Sequence, residues 1–325
     1  MRKKLKYYYM NTAELLDAVI EIYKKSFGQQ IALSMIFSII FSVILFVVIF
    51  LGVIAVMATF IGNIGYSDFN TTMMILSVAV FIILILFASS LHSALYSTGN
   101  IILAYKSYIG EKPSLKDIVK QCFKKFIPVL TVIFAQFIVL IPLFVFIAAL
   151  SVGYFYYLFN MINTGFTDIW LAIIITVLFI IALLITGIIS MTITIASVPI
   201  AIFEKKYFMS AVSKGFALIK KDFKKILGTV AIYYLVMYIA SYSFSAFLGI
   251  GKAFIELLFP RDIAAFLSVS TVYFDYMFSA VFSVILTPLN GIFSAAVYIN
   301  QKIKYEGFDI SLKLDDLKSK NMYQN

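Results

Sequence analysis

Six long apolar runs, approximately residues 31–61, 72–105, 127–159, 168–203, 227–248 and 265–299, alternate with lysine-rich segments along this chain. A hydrocarbon core about 30 Å thick is crossed by roughly 20 apolar helical residues, so each run is long enough to span a bilayer. Several exceed that need, which predicts tilt, kinks or interfacial extension. A soluble fold is excluded by composition: 62% of the 325 residues are hydrophobic and 13% are charged, against about 25% charged in ordinary soluble domains. Too little polar material remains to clothe a surface facing water. The expected fold class is all-α, a polytopic membrane protein with six transmembrane helices in a single membrane domain over 1–325. The N-terminal "MRKKLKYYYM" is basic, but the first apolar run starts at Ile31 and is too long for a signal peptide, so the N-terminus is expected to be retained.

Lysine and arginine placement predicts the orientation. Residues 1–30, 106–125, 205–225 and 302–320 hold 24 of the 26 basic residues, and the alternate loops hold only Lys252 and Arg261. By the positive-inside rule both termini and the two basic loops are cytoplasmic. Trp170 and the tyrosines Tyr154, Tyr156, Tyr157, Tyr273 and Tyr276 fall at the opposite ends of spans, where aromatic belts sit. Heavy use of Phe, Tyr, Ile and Lys with only Arg2 and Arg261 resembles the usage of AT-rich bacterial genomes. The expected location is the cytoplasmic membrane of a bacterium.

Three basic segments precede the odd-numbered spans, 11–28, 113–128 and 209–228, and their apolar stripes are offset by 99 and 97 residues. Each has an apolar stripe at helical spacing: Leu16, Ile20, Tyr23 and Phe27 in the first, Leu115, Val119, Cys122 and Phe126 in the second, Val212, Phe216, Ile219 and Phe223 in the third. Glu14, Asp17, Glu21 and Lys24 line another face of the first. Asn11 with Glu14, and Ser114 with Asp117, are candidate capping pairs. Each segment reads as an amphipathic helix at the cytoplasmic interface feeding a transmembrane hairpin. Three repeats, approximately 11–105, 113–203 and 209–300, and a polar cytoplasmic tail, 301–325, follow. On the wet faces of those helices, Lys24, Lys25, Lys124, Lys125, Lys220, Lys221, Lys224 and Lys225 are candidates for contact with anionic lipid headgroups, at about 1 kcal/mol per well-placed lysine.

The even-numbered spans carry a second repeat. Ser89, Ser93, Ser97 and Asn100 share one helical face; 97 residues on stand Thr186, Ser190, Thr194 and Ser197, and 97 further Ser283, Thr287, Gly291 and Ser294. Repeats of one topology are related by an axis along the membrane normal, so a pseudo-threefold bundle is expected, with Ser93, Ser190 and Thr287 buried near one another. Small and hydroxyl side chains serve close helix packing; the functional alternative is a polar cavity or lipid-accessible groove on the cytoplasmic half. His92, the only histidine, lies beside the first stripe, and Asp275 is the only carboxylate near a span interior, within the aromatic "VYFDYMF". Pro142, Pro199 and Pro288 are expected to kink their spans.

Catalytic patterns such as G-x-S-x-G, a P-loop, H-E-x-x-H or paired carboxylates in a span are missing from the sequence. The single cysteine, Cys122, excludes a disulfide framework within one chain, and one histidine cannot build a multi-histidine metal site. No enzyme activity and no cofactor are expected. The net charge of +10 is spread over membrane-proximal segments, which points to anionic lipids, with other membrane proteins as further candidate partners, and not to nucleic acid.

"SVPIAIFEKKYFMSAVSKGFALIKKDFKKILG", through Pro199, Glu204, Ala211, Ser213 and Leu218, and "VYINQKIKYEGFDISL", through Tyr298, Lys304, Glu306, Gly307 and Asp309, resemble motifs of the glycerophosphoryl diester phosphodiesterase membrane-domain family and its six-span relatives. Asn300 stands where that pattern has Asp. The resemblance implies a membrane domain without the catalytic barrel that some members carry. Two functional readings remain open: a non-catalytic protein organising lipid or partner proteins at the cytoplasmic membrane, and a transporter or permease component that uses the polar seam.

Overall fold

A computed structural model describes residues 8–64, 71–111, 113–163, 169–258, 278–312 and 314. Among these the chain is all helix, and six helices are long and apolar enough to cross a membrane. In chain order the helices are α1 (Thr12–Ile64), α2 (Thr71–Tyr108), α3 (Leu115–Asn163), α4 (Ile169–Thr194), α5 (Ser197–Glu204), α6 (Phe208–Lys220), α7 (Phe223–Leu258), α8 (278–286) and α9 (Pro288–Glu306), followed by a short helical stretch at 308–312; α4 with α5, and α8 with α9, each make one span. Both expected capping pairs form. Asn11 N–H donates to Glu14 Oε2 at 2.9 Å while Glu14 N–H donates to Asn11 Oδ1 at 3.0 Å, and Asp117 N–H donates to Ser114 Oγ at 3.2 Å. Each satisfies amide donors that a helix start leaves open.

The first two basic segments are not separate helices. They are the opening turns of α1, 53 residues, and α3, 49 residues, each more than 70 Å long at about 1.5 Å per residue. Only the third is detached, as α6, with Lys221 and Asp222 breaking it from α7. The buried face of the first segment is also rotated from the expected stripe. Leu15, Ala18, Val19 and Ile22 are in the core, whereas Ile20 and Phe27 are exposed. The other two stripes are better placed: Cys122, Val212 and Ile219 are buried.

Packing is dense at the lysine-rich end and loose at the other. The buried apolar residues cluster in 10–37, 94–108, 118–135, 196–233 and 292–312, which are the parts of the helices nearest the basic segments. Their opposite halves expose Ile, Leu, Val and Phe along their length, as lipid-facing surfaces do. The sixth span's second half, α9, is the most enclosed; it packs on α1, α2, α5 and α6, and Ile292, Phe293 and Ala295–Gln301 are buried. The expected tail therefore begins inside the core, since Gln301 and Ile303 belong to α9.

Two of the three expected kinks interrupt regular helix, with Ala196 and Thr287 still in the right-handed helical region. The chain turns at Ile195–Ala196, just before Pro199, and at Thr287, just before Pro288, whereas α3 runs through Pro128 and Pro142. Pro199 has no N–H for the carbonyl of Ile195, and Ser294 Oγ of α9 donates to that carbonyl at 2.6 Å. Gln136 Nε2 of α3 donates to the neighbouring carbonyl of Thr194 at 3.2 Å. At the second break, Tyr23 OH of α1 donates to the carbonyl of Ile285 at 2.6 Å. Asp275, Tyr273 and Tyr276 lie outside the described residues.

Close approach of α2 and α9 depends on Gly291. A Cβ placed there would stand 2.5 Å from Asn100 Cβ, well inside contact distance, so the backbones would have to separate. Gly291→Ala should destabilise the bundle by about 1–3 kcal/mol, the usual cost of overpacking. Gly187→Ala, where nothing lies within 4 Å, should be neutral or stabilising by up to about 1 kcal/mol through helix propensity. Thermal unfolding of the two variants in detergent checks the contrast; equal effects would refute it.

Candidate functional site

Two polar constructions stand at the lysine-rich end: a charged clasp and, beside it, a cavity. Glu204 closes α5, and its side chain is only 11% exposed. It pairs with Lys214 of α6, with Lys302 Nζ of α9 at 3.1 Å, and accepts from Tyr298 OH at 2.9 Å. Lys302 also bridges to Glu306 at 3.1 Å. A carboxylate this enclosed costs several kcal/mol to desolvate unless it is paired and bonded, and three donors from two helices meet that need. The hydrogen bond to Glu204 leads the causes that raise the Lys214 pKa, outweighing partial burial. That contribution is present below the ordinary value of 10.5 and lost as pH rises through the higher folded value. The motif residues Glu204, Tyr298 and Glu306 thus meet in space, as a fastening of α5, α6 and α9. Immediately after it, Lys205 and Phe208 adopt left-handed φ of 53° and 50°, strained for side chains with a Cβ.

A second clasp joins the α6–α7 turn to α9. Asp222 accepts from Lys304, and Lys304 lies 4.8 Å from the centre of the Tyr9 ring. Lys225 donates to Tyr9 OH at 2.5 Å and sits over the same ring. Met10 and Asn300 exchange two hydrogen bonds, at 2.7 and 3.0 Å, which fasten the segment before α1 to α9.

The cavity has a volume of about 350 Å³ and lies between α2, α4, α7 and α9, with the start of α5 beside it. It draws on all three polar stripes: Ser93 and Ser97 from the first, Thr194 from the second, Thr287, Gly291 and Ser294 from the third. His92 lines it as well, its ring stacked on Phe41 at 4.3 Å between centroids. The rest of the stripes serve packing or face outward. Thr186 and Ser190 donate to carbonyls one turn back in their own helix, as Thr194 does from the cavity wall. Ser89 and Ser283 are exposed.

The expected buried cluster of Ser93, Ser190 and Thr287 does not form: Ser93 is exposed, and Ser190 and Thr287 are half-buried. The stripes are enclosed two turns nearer the lysine-rich end, at Asn100 and Ser197, with Ser294 half-buried. Asn100 and Ser197 are fully buried, and Ser294 holds the Ile195 carbonyl. The displacement follows from the splay of the helices away from the packed end. Asn290, Tyr96 and Tyr234 also line the cavity and were not anticipated. Asn290, which accepts from Tyr233 OH at 2.9 Å, is an amide in an apolar run beside Pro288 and could have been marked on that ground. Tyr234 comes from an odd-numbered span, and nothing in the stripe pattern points to it.

Of the eight lysines expected at headgroups, all but the half-buried Lys125 are exposed, and Lys24, Lys124, Lys220 and Lys224 are the four without the protein contacts, among the described residues, that hold the others. The other four engage the protein. Lys25 pairs with Glu21 at 2.7 Å, Lys125 donates to the carbonyl of Ile202, and Lys221 and Lys225 lie over the rings of Tyr305 and Tyr9.

No protein-family model matches the chain, and neither a curated protein nor a solved structure matches it.

Burial alone would raise the Asp222 carboxyl, but hydrogen bonds from Lys304 and Tyr305, with the charges of Lys304 and Lys225, hold it below its ordinary 3.8. A depressed folded pKa stabilises above the unfolded value and loses that contribution as pH falls through the folded one. The parent should therefore exceed Asp222→Asn in thermal stability by a constant margin from neutral pH down to 3.8, and by a shrinking margin below it. Unfolding curves in detergent across that range check the sign; a margin that grows on acidification would refute it.

Proposed function

We propose that the chain is a non-catalytic membrane protein that gathers anionic lipid against the cytoplasmic face of a bacterial cell membrane. The observation that carries this reading is the exposure of Lys24, Lys124, Lys220 and Lys224 on four helices at the end where the fold is most rigidly packed. Rigidity matters because a preorganised set of charges pays less entropy on binding than a mobile one. The resemblance to a membrane domain without its catalytic barrel fits the same reading. A transporter or permease component is the second reading, favoured by the cavity that interrupts the packing of the even-numbered spans.

Orientation is the first test. In a Cys122→Ser background, a cysteine at Asn163 should react with an impermeant maleimide added to intact cells, and one at Lys214 should react only after lysis. Labelling of position 214 from outside would invert the assignment. For the lipid role, Gln at Lys24, Lys124, Lys220 and Lys224 together should weaken enrichment of phosphatidylglycerol in nanodiscs by tenfold or more, since each lysine near a charged surface contributes about 1 kcal/mol. Unfolding temperature should stay within a few degrees, because surface charges of this kind carry little stability. Unchanged lipid enrichment in a folded variant would sink the proposal and leave partner proteins as the reason for the exposed charge.

A further inference from the structure

We infer that the cavity between α2, α4, α7 and α9 is a binding site for a neutral, hydroxyl-bearing lipid, the chemical class of diacylglycerols and long-chain alcohols. The position of its mouth is the first reason. Ser93 and Met191 are exposed on its rim, and both lie within spans, Ile75–Tyr108 and Ile169–Glu204. The cavity therefore opens sideways, to lipid. A space of about 350 Å³ falls within the size range of small-molecule sites, and one continuous with the bilayer is filled from the bilayer.

The lining decides what fills it. Among the described residues that line the cavity none is charged, while Ser97, Thr194, Tyr234, Asn290 and Ser294 bring hydroxyl and amide groups. Ile101, Ile195, Val198 and Phe293 form its apolar side. Thr194, Asn290 and Ser294 already bond the protein, but their remaining lone pairs and the Asn290 amide protons gain nothing from acyl chains alone. A phosphate or ammonium would enter with no counter-charge in the wall, which is costlier still. A hydroxyl or ester headgroup with its tail in the mouth satisfies both sides. His92 supplies an independent observation. Its Nε2 is buried without a hydrogen-bond partner among the described residues, and a buried nitrogen left so beside a cavity marks where a ligand hydroxyl, or a water it orders, bonds.

This site does not rest on the lysine face, and its test separates the two. The parent is reconstituted in phosphatidylcholine nanodiscs with a diazirine-bearing diacylglycerol, irradiated, and the labelled peptides are mapped. Labelling should fall on α2 and α9 around Ser97 and Ser294, saturate, and be competed by unlabelled dioleoylglycerol but not by phosphatidylglycerol or free glycerol. Ser97→Phe, which fills the cavity, should reduce labelling about tenfold, roughly 1.4 kcal/mol. His92→Phe keeps the stack on Phe41 and removes the nitrogen; it should reduce labelling about fivefold, the worth of one hydrogen bond. The four-lysine Gln variant should label as the parent does. If Ser97→Phe fails to fold, His92→Phe decides. Equal competition by phosphatidylglycerol or by glycerol, or labelling indifferent to the folded variants, would overturn the site.

Discussion

Two backbone carbonyls, at Thr194 and Ile195, set the terms for the lysine-rich end of the molecule. In hydrocarbon a freed carbonyl finds no water, and each one left unbonded costs several kcal/mol. Pro199 takes away the amide that would have met Ile195, and the helix breaks there into α4 and α5. The break is tolerable only because Gln136 of α3 and Ser294 of α9 reach the two exposed oxygens. Once it is made, α5 is buried along Pro199–Ile202 and delivers Glu204 to the clasp. The cavity lies beside this break, with Thr194, Ile195 and Val198 in its wall.

Packing elsewhere follows the solvent. Where helices emerge toward water, the hydrophobic effect drives Leu15, Val19, Ile22, Ile118, Leu218 and Ile219 together. Inside lipid that drive vanishes, because acyl chains are as apolar as the side chains. Beyond the reach of the core the helices are held by small contacts, such as the Tyr154–Phe179 stack at 4.3 Å and the Tyr154–Thr176 hydroxyl pair at 3.1 Å. Splayed helices on a packed base are the expected outcome, and they explain why polar stripes running the length of three spans are enclosed only at one end.

The clasp and the cavity are coupled by α9. Tyr298, Lys302 and Glu306 fasten its last turns to α5 and α6, while Asn290, Gly291 and Ser294, two turns earlier, form cavity wall. Phe293 stacks on Tyr233 at 3.9 Å and ties the same stretch to α7. Any shift of α9 changes both at once, which is why the charged network belongs to the account of the site although it does not line it.

The sequence by itself determined the class of the fold, because six apolar runs of sufficient length admit only helices in a bilayer. It also determined local features that depend on neighbours in the chain: the Asn11–Glu14 and Ser114–Asp117 caps, the interruptions before Pro199 and Pro288 (though not at Pro142, which α3 runs through), and the identity of the residues on each polar stripe. Helical periodicity fixes which residues share a face, but not which face meets which helix. Tertiary structure therefore decided that Leu15 and Ile22 are buried while Ile20 and Phe27 are not, that the stripes are enclosed at Asn100 and Ser197 instead of at Ser93, Ser190 and Thr287, and that four of the eight lysines are held by the protein. It alone brought Tyr234 and Asn290 to one cavity from residues 56 positions apart. Each of these is settled by contacts between distant segments, where the energy depends on helix rotation and splay, and a linear pattern carries neither.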